Sequence, residues 1–316
     1  MLVVIGFGDN MPTMELRHLR YFVGVAQYLN YSEASRRLHV AQPAISQTIL
    51  DLEEELSVKL LFRTKRAVQL TAAGTAFLRE AQEILRRANE AQQLAQRAAR
   101  GEVGTLGIGF FGAASAPILP ALVQAYRRKF PDVELRLFEM NPDQQIAAFD
   151  EGRIHLGFTR TLPPDRRSQF EEELVYTDRL VIALPATHAL AKQKVVHLKT
   201  LAGEPFVQFH RIGAPSLFDE VIGVCRRAGF SPRIVNEPSF MATVMTLVES
   251  GLGVSLIPYC VRTLNRPHVA IRSISPRSAD IPLCATWLKS TYNPALTAFL
   301  EILRTAKPAI RTQMEA

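Results

Sequence analysis

Between residues 31 and 62 the apolar positions recur at spacings of three and four, which is the pattern of helices with one buried face. A first predicted helix has Ser32 as its N-cap, because a serine hydroxyl can accept a free N–H of the first turn. It ends near Val40, because Pro43 disfavours helical geometry at the residue before it. Pro43 suits the first position of a second helix. That second helix carries an apolar stripe at Ile45, Ile49, Leu52 and Leu56.

The polar face of the second predicted helix carries the candidate chemistry. Gln42, Ser46 and Gln47 lie opposite the apolar stripe, near the N-terminus of the helix. A recognition helix in a DNA major groove presents base-contacting groups from this place, and glutamine can bind adenine bidentately. Two short strands joined by a basic tip follow, and they predict a wing against the phosphate backbone. The residues predicted to contact DNA are Ser32, Gln42, Pro43, Ser46, Gln47, Arg63, Lys65 and Arg66.

The segment as a whole predicts a winged helix-turn-helix that binds double-stranded DNA. The alternative is a helical hairpin that only packs and leaves its charges in solvent. Charge does not decide between the two, although the net charge of +7 is compatible with a nucleic-acid partner. Residues 14–71 are only slightly basic, because Asp51 and residues 53–55 offset the arginine and lysine residues there.

Residues 71–100 form a different segment, rich in alanine, glutamine, glutamate and arginine. Its apolar and small residues alternate in steps of four and three, which is the a/d seam of a coiled coil. The seam consists of Phe77, Ala81, Ile84, Ala88, Ala91, Ala95 and Ala98. The pattern predicts a long helix that pairs with a second copy of the chain. The alternative is one amphipathic helix docked on its own domain.

After a break at residues 101–104, predicted strands alternate with predicted helices, which indicates a mostly parallel α/β architecture. The strands cover residues 105–111, 133–139, 156–159 and 180–184, and the helices cover residues 117–130, 144–152, 218–228 and 294–305. Ligands in such folds bind at the carboxyl ends of strands, where loops meet helix N-termini. The small residues from Gly112 to Ser115, then Pro142 and Arg160, follow the first three strands.

These positions predict a site for an anion. The backbone N–H groups of residues 112–115 would face a ligand at the start of the next helix, and residues 212–217 precede another helix across the predicted cleft. Arg160 is the strongest single candidate, because its guanidinium group matches a carboxylate bidentately. An interlobe salt bridge or a solvated loop charge stays open as the alternative for Arg160.

Composition narrows the class of protein. A chain of 316 residues with 47% hydrophobic and 21% charged residues suggests a globular protein of roughly two or three domains. No apolar stretch approaches a membrane span, and residues 1–13 lack the positive start of a signal peptide, so they are interpreted as a disordered extension before Met14. Cys225, Cys260 and Cys284 are scattered, which predicts neither disulfides nor a zinc cluster. We expect a cytoplasmic location, no cofactor and no metal.

Residues 14–22 (MELRHLRYF), the AQPAIS turn, LEEEL and LTAAG resemble the amino-terminal signature of LysR-type transcriptional regulators. The resemblance is specific over residues 14–74, and a looser match in length and element order covers the rest. It implies an α/β protein with an all-α-type winged helix-turn-helix head, a linker helix and a two-lobed effector domain like the type 2 periplasmic binding proteins. The implied bounds are 1–13 for the extension, 14–71 for the head, 72–103 for the dimerising linker and 104–316 for the effector domain (lobe I about 104–174 plus 281–316, lobe II about 175–280).

The segment GAPSLFDEVIGVCRRAGFSPRI resembles the regulators of this type that respond to muconate and chloromuconate, intermediates of aromatic catabolism. The resemblance implies an effector site of Gly112, Ala113, Pro142, Arg160, Pro215, Ser216 and Leu217, with Ser115 nearby. Ala113 and Pro142 depart from it, since hydroxyl-bearing residues are common there, and Leu217 stands where a phenylalanine often sits. In the head, Gln47 replaces a common arginine, so the half-site is expected to differ and Arg66 to bear more of the DNA contact.

The resemblance implies a regulator that senses a small organic acid of aromatic catabolism. It would bind a pseudo-palindromic promoter as a dimer, with dimers pairing into a homotetramer and RNA polymerase as a further partner. A regulator of the same type with an unrelated effector is the alternative. The sequence predicts no enzyme, because no GxSxG or HExxH pattern includes the possible bases His155, His188, His197 and His210. The DNA-binding head and the missing secretion signal argue against a solute-binding protein.

Overall fold

The structure is a computed structural model, and it describes residues 14–63, 67–160, 162, 166–277 and 280–315. The chain divides into two compact units, Met1–Gln96 and Arg97–Ala316. The expected disordered extension (residues 1–13) and the wing residues Lys65 and Arg66 lie outside the described residues, so these expectations stay predictions. Within the described part of the chain, no helix is long and apolar enough to cross a membrane.

The first unit contains a three-helix head with a two-stranded wing. Its elements are α1 (Leu16–Tyr28), α2 (Tyr31–Leu38), α3 (Gln42–Glu55), β1 (Leu61–Arg63), β2 (Val68–Leu70) and α4 (Ala72–Ala99). β1 and β2 are antiparallel, with Leu61 opposite Leu70. The apolar stripe of α3 is buried in one cluster with residues of α1 and α2, namely Leu19, Phe22, Val25, Ala34, Ile45, Ile49 and Leu52. The predicted helices, the turn between them and the two strands of the wing are confirmed, and the tip of the wing (residues 64–66) lies outside the described residues.

The two short helices begin one or two residues before their predicted positions. Asn30, and not Ser32, is the N-cap of α2, and its Oδ1 accepts an N–H of the first turn at 3.0 Å. Asparagine caps helices as well as serine does, and the backbone at Asn30 already has the extended geometry of a cap. α3 begins at Gln42 with Ala41 as its N-cap, so Pro43 occupies the second position and not the first.

Helix α4 forms as predicted, and the first half of its seam packs on the head. Ala81 is buried, and the ring of Phe77 lies 5.3 Å from the ring of Phe22 in α1. Farther along, Ile84 is 40% exposed, and Leu94, which lies outside the predicted seam, is 56% exposed. The docking alternative therefore holds for the first half of the helix. Beyond it, Leu85 and Ala88 are half-buried, whereas Ala91, Leu94, Ala95 and Ala98 are exposed in the single chain.

The second unit contains two α/β lobes. Its elements in chain order are β3 (Gly104–Phe110), α5 (Gly112–Ser115), α6 (Leu119–Lys129), β4 (Val133–Glu139), α7 (Pro142–Asp150), β5 (Leu156–Thr159), β6 (Phe170–Asp178), β7 (Leu180–Pro185), β8 (Val195–His197), β9 (Pro205–Val207), α8 (Pro215–Arg227), β10 (Arg233–Asn236), α9 (Met241–Glu249), β11 (Ser255–Pro258), β12 (Val269–Ser275), β13 (Ile281–Leu288) and α10 (Pro294–Glu315). The first lobe holds a five-stranded sheet in the order β4-β3-β5-β13-β6. The second lobe holds a four-stranded sheet in the order β11-β7-β12-β8 and the pair β10-β9.

The two main sheets are mixed and not mostly parallel. β3 runs parallel to β4 and β5, but β13 is antiparallel to both β5 and β6. In the second lobe, β7 is antiparallel to β11 and β12. The chain passes between the sheets at a first crossing, β6 to β7, and a second crossing, β12 to β13, and only Arg179 separates β6 from β7. β13 thus re-enters the first sheet from the second lobe and not through a strand-helix-strand unit, so nothing requires it to run parallel to its neighbours.

Several predicted segments of this unit change their bounds or their type. Residues 112–115, expected as a loop, form the short helix α5. α7 begins at Pro142, two residues earlier than predicted, because Asn141 forms a capping box at its start. α10 runs well past its predicted end, because its apolar face stays buried as far as Met314. The two-lobed α/β class is confirmed, and the predicted lobe boundaries stay predictions.

Gly74 in α4 leaves no room for a side chain, because a Cβ atom there would lie 1.9 Å from the carbonyl oxygen of Leu60. We expect Gly74→Ala to lower the free energy of unfolding by about 1–3 kcal/mol, since the backbone must move. Gly24→Ala is the matched control, because its Cβ atom would meet only the flexible end of Leu38 at 2.8 Å. Thermal unfolding compares the two variants, and equal losses of stability would contradict the close packing at Gly74.

Candidate nucleic-acid interface and ligand cleft

The N-terminal half of α3 presents a polar face, which we call the α3 polar face. It consists of one half-buried serine and three exposed residues, namely Ser46, Gln42, Pro43 and Gln47. Ser32 of α2 donates its hydroxyl to Gln42 Oε1 at 3.0 Å. Gln47 Nε2 donates to Asp51 Oδ1 at 2.8 Å. The structure thus brings the candidates of α2 and α3 onto one surface and orients two of them through hydrogen bonds within the protein.

Arg63, the last residue of β1, contacts α3. Its Nη1 donates to Ser46 Oγ at 3.3 Å, and its guanidinium group lies 5.1 Å from the centre of the Tyr31 ring. A cation over an aromatic ring is attracted to the ring. This attraction and the hydrogen bond to Ser46 together keep the Arg63 side chain against α3. The sequence placed Arg63 with the basic tip of the wing. The structure instead joins it to the α3 polar face.

The side chain of Glu53 on α3 is buried, with 2% of the residue exposed. Its Oε1 accepts the N–H groups of Leu60 at 2.9 Å and Leu61 at 3.0 Å, and its Oε2 accepts from Lys59 Nζ at 3.0 Å. Burial raises the pKa of this carboxyl, but the hydrogen bonds from Leu61 and Lys59 outweigh burial and hold the pKa below its ordinary value. Sequence reasoning counted Glu53 only as an offsetting charge and missed its burial.

Residues 59–61, which we call the 59–61 joint, are also held by Thr71. The Thr71 N–H donates to the Leu60 carbonyl at 3.0 Å, and its Oγ1 donates to the Lys59 carbonyl at 2.7 Å. The same Oγ1 accepts the N–H of Gly74 at 2.8 Å and so caps the first turn of α4. The joint therefore connects α3, through Glu53, to α4, through Thr71.

The predicted ligand residues lie at the N-termini of three helices in the second unit. Gly112 and Ala113 are half-buried in α5, and Pro142 is half-buried at the first position of α7. Pro215 and Ser216 are exposed at the first two positions of α8, where the sequence predicted a loop. Three helix starts therefore carry these residues, and helix N-termini favour anions.

Two further predicted residues, Ser115 and Leu217, are buried. Ser115 Oγ has no hydrogen-bond partner among the residues that the structure describes. Leu217 belongs to the main apolar core of the second unit. The short helix α5 is fixed in place by Tyr176 of β6, whose hydroxyl donates to the Ala114 carbonyl at 2.6 Å. Ser115 thus lies beside an anchored turn, with an unused hydroxyl.

Arg160 follows β5 and is almost fully buried, with 4% of the residue exposed. Its Nη1 donates to the carbonyl oxygens of Ile281 at 3.0 Å and Pro282 at 3.2 Å, at the start of β13. Its Nε is buried and has no hydrogen-bond partner in the described part of the chain. Arg160 is therefore not a solvated loop charge, and that alternative is wrong. Its partners are backbone carbonyl oxygens and not the carboxylate of an interlobe salt bridge.

Comparison with known proteins assigns both units. Residues 16–75 match the family described as bacterial regulatory helix-turn-helix protein, lysR family, and residues 99–308 match the LysR substrate binding domain. This chain belongs to the LysR family of transcriptional regulators. It is 37% identical over 289 residues to the HTH-type transcriptional regulator AlsR of Bacillus subtilis. The aligned region covers 92% of this chain and 95% of AlsR. It is 38% identical over 294 residues to the HTH-type transcriptional regulator TfdS of Cupriavidus pinatubonensis. This aligned region covers 93% of this chain and 99% of TfdS.

A solved structure of the family extends the comparison to DNA. The crystal structure of full-length CbnR complexed with its target DNA is 33% identical to this chain, with a TM-score of 0.79. The match covers 93% of this chain and 100% of that chain. The LysR-type resemblance stated from the sequence is confirmed. The protein is a DNA-binding transcriptional regulator with a ligand domain, and not an enzyme.

This LysR-family chain has a second buried carboxylate at its first crossing. Asp178, the last residue of β6, accepts the N–H groups of Arg179 at 2.8 Å, Tyr259 at 3.1 Å and Cys260 at 3.2 Å. Tyr259 and Cys260 begin the 3-10 turn after β11, so Asp178 ties the crossing to the second lobe. Burial raises the pKa of the Cys260 thiol, and the nearby Asp178 carboxylate acts in the same direction. Sequence reasoning missed Asp178.

The two N–H groups that Glu53 accepts predict a large effect of its removal. Glu53→Ala should lower the free energy of unfolding by about 1–3 kcal/mol for each buried N–H left without an acceptor. Glu54→Ala is the matched control, because Glu54 is the exposed neighbour on the same helix. Thermal unfolding of the full-length variants measures the difference, and a control as unstable as Glu53→Ala would rule out the buried role.

The lowered pKa of Glu53 gives this effect a pH signature. A carboxyl with a lower pKa in the folded state stabilises the fold above its ordinary pKa of 4.5, and this contribution is lost as the pH falls through the folded value. The stability difference between wild type and Glu53→Gln should therefore be constant near neutral pH and shrink below about pH 4.5. A difference that grows on acidification would contradict the assignment.

Proposed function

We propose that this regulator binds a pseudo-palindromic promoter site as a dimer, and that a small organic acid bound between its lobes re-spaces the paired heads. The observation that carries the DNA part is the α3 polar face, on a helix whose opposite face is buried. A helix with this division fits a major groove with its N-terminal residues on base edges. The domain bounds 14–71, 72–103 and 104–316, a cytoplasmic location and RNA polymerase as a partner belong to the same proposal.

In this proposal the α3 polar face reads bases, and basic residues of the segment after α3 hold the phosphate backbone. Gln42, Ser46 and Gln47 have the donors and acceptors that base edges require, and Pro43 lies among them. Ser32 supports Gln42 through their hydrogen bond. The backbone contacts come from Arg63, Lys65 and Arg66. The solved complex of CbnR with its target DNA supports this arrangement, because that chain is similar over its full length.

The dimer is proposed from the uncovered part of α4. Ile84 and Leu94 are exposed in the single chain, although large apolar side chains gain free energy when they are buried. The seam residues between and beyond them are small, namely Ala88, Ala91, Ala95 and Ala98. Small seam residues let a second helix approach closely, so a paired α4 would cover these side chains. Pairing of such dimers into a tetramer is part of the proposal.

The effector site is proposed from a buried positive charge. Arg160 has backbone carbonyls as partners, and a guanidinium group held out of water without an anion is costly. A ligand carboxylate near Arg160 would offset that cost. Ser115, with its unused buried hydroxyl, and Ser216, exposed at the start of α8, offer further donors. Gly112 and Ala113 form the start of α5, where the Glu139 carboxylate fills the space that a side chain at Gly112 would take.

The chemistry of the same site favours an acid derived from an aromatic compound over muconate itself. Ala113 and Pro142 supply no hydroxyl, so a second carboxylate would find fewer donors there. Pro142 also lacks an N–H at the first position of α7. Leu217 is buried in the apolar core and so offers no polar group to a second carboxylate. A ligand with one carboxylate and an apolar body fits this set of residues better than a linear diacid.

A ligand at Arg160 would act on the connection between the lobes. Ile281 and Pro282, which accept from Arg160, begin β13 at the end of the second crossing. A carboxylate that binds Arg160 therefore competes with these two carbonyl oxygens and changes the hydrogen bonding at this crossing. A ligand can shift the lobes only if it binds one arrangement more tightly than the other. A ligand carboxylate that contacts Arg160 in one arrangement of the lobes and not in the other would bind the first more tightly.

We expect an aromatic-pathway acid to change the footprint of the full-length protein on promoter DNA. Ser216→Ala should raise the half-maximal acid concentration about tenfold or more, because a hydrogen bond to a carboxylate contributes about 1.5–3 kcal/mol. Arg160→Gln should weaken the response at least as much. Arg153→Gln is the control, because this exposed arginine of the same lobe pairs with Glu151 and lies outside the proposed site.

The readouts are footprinting with a panel of aromatic acids and direct binding of each acid by calorimetry. A footprint that no acid of the panel changes would exclude the catabolic effector and favour an unrelated metabolite. An acid that binds Ser216→Ala and wild type equally would exclude the proposed placement at α8. Neither outcome affects the assignment to DNA binding.

A further inference from the structure

Gln47 on the α3 polar face is hydrogen-bonded to Asp51, one helical turn farther along. Nε2 of Gln47 and Oδ1 of Asp51 are 2.8 Å apart. Glutamine and aspartate four residues apart on a helix form this kind of bond. A carboxylate offers acceptors only, so the group that faces Asp51 must be the amide nitrogen and not the amide oxygen. The chemistry of the partner therefore fixes the orientation of the Gln47 amide, with Oε1 turned away from Asp51.

This orientation matters in a major groove, because the bases differ in the groups they present there. Adenine offers a donor at N6 and an acceptor at N7, and cytosine offers a donor at N4. Guanine offers only acceptors, and thymine offers an acceptor and a methyl group. With one N–H given to Asp51, Gln47 retains Oε1 as an acceptor and a second N–H as a donor. Adenine matches both groups, whereas guanine places acceptors against Oε1.

We propose that Asp51 determines the base preference of Gln47 without touching DNA. The amide cannot turn over to suit guanine, because this would set Oε1 against the Asp51 carboxylate, with two acceptors facing each other. Position 47 therefore favours adenine, which matches both remaining groups of the amide, over guanine, which can accept only the remaining N–H. Asp51 is a positioning residue in this scheme, and the scheme rests on the base contact of Gln47 proposed above.

At the neighbouring residue, Ser46, the chemistry of the partner again limits which groups remain for DNA. Here the partner is a donor and not an acceptor. Arg63 has donors only, so Ser46 Oγ must accept from it at 3.3 Å, and the hydroxyl hydrogen of Ser46 is left to donate. Ser46 therefore offers a donor to a base edge, next to the acceptor of Gln47. The partner therefore fixes the orientation of the Gln47 amide, whereas at Ser46 it takes up one lone pair and leaves the hydroxyl hydrogen and the other lone pair.

The test is selection of bound duplexes from a pool randomised across the site, followed by sequencing. Full-length wild type is compared with Asp51→Ala, Asp51→Asn and Gln47→Ala. For wild type we expect adenine over guanine by about fivefold or more at one position of each half-site, the lower end of discrimination by a bidentate contact. Asp51→Ala and Asp51→Asn should both bring this ratio close to one, because neither holds the amide in a single orientation.

Glu54→Gln is the matched control, because it removes the same charge from an exposed position three residues farther along α3. It should tighten binding to all sequences alike and keep the adenine preference. A wild-type ratio in both Asp51 variants would overturn the proposal. A ratio unchanged in Gln47→Ala would instead show that Gln47 makes no base contact, which removes the basis of the scheme. Should Asp51→Ala fold poorly, as judged by circular dichroism, Asp51→Asn decides, since it preserves the size of the side chain.

Discussion

The Glu53 carboxylate lies among the N–H groups of Leu60 and Leu61, where the chain leaves α3 and enters the wing. A buried charge is tolerated only when hydrogen bonds replace its water, and here two backbone groups and Lys59 do so. Thr71 holds the carbonyl groups of the same joint and caps α4. One carboxylate and one hydroxyl, together with the packing of Phe77 and Ala81 on the head, therefore set the direction of α3 relative to the first part of α4.

The effector unit uses buried charges in a similar way at its two crossings. Asp178 collects three backbone N–H groups at the first crossing, and Arg160 donates to two backbone carbonyls at the second. The difference is that Asp178 uses both of its oxygen atoms, whereas Arg160 leaves Nε without a partner in the described residues. The proposed effector contact therefore falls at the second crossing, where the buried Arg160 retains a donor without a partner in the described residues.

The sequence predicted the elements that depend on local periodicity. The stripe at Ile45, Ile49 and Leu52 is buried, and the predicted strand 133–139 is observed as β4 with the same bounds. It failed where a residue's environment depends on distant backbone. Glu53 continues the steps of four from Ile45 and Ile49, so its place on the buried face was visible, but its acceptor role depends on the 59–61 joint. The burial of Arg160 depends likewise on β13, which lies far away in sequence.

In the proposed dimer, the direction of α3 on α4 would make the two heads meet DNA with a set separation and on a set face. Gel-shift affinity for duplexes with the half-sites moved apart measures this directly. An insertion of about 5 base pairs turns one half-site by about half a turn, and about 10 base pairs restore its face. We predict that the affinity of the full-length protein falls sharply at the shorter insertion and recovers in part at the longer one. Equal affinity at both spacings would show that the heads move independently of α4.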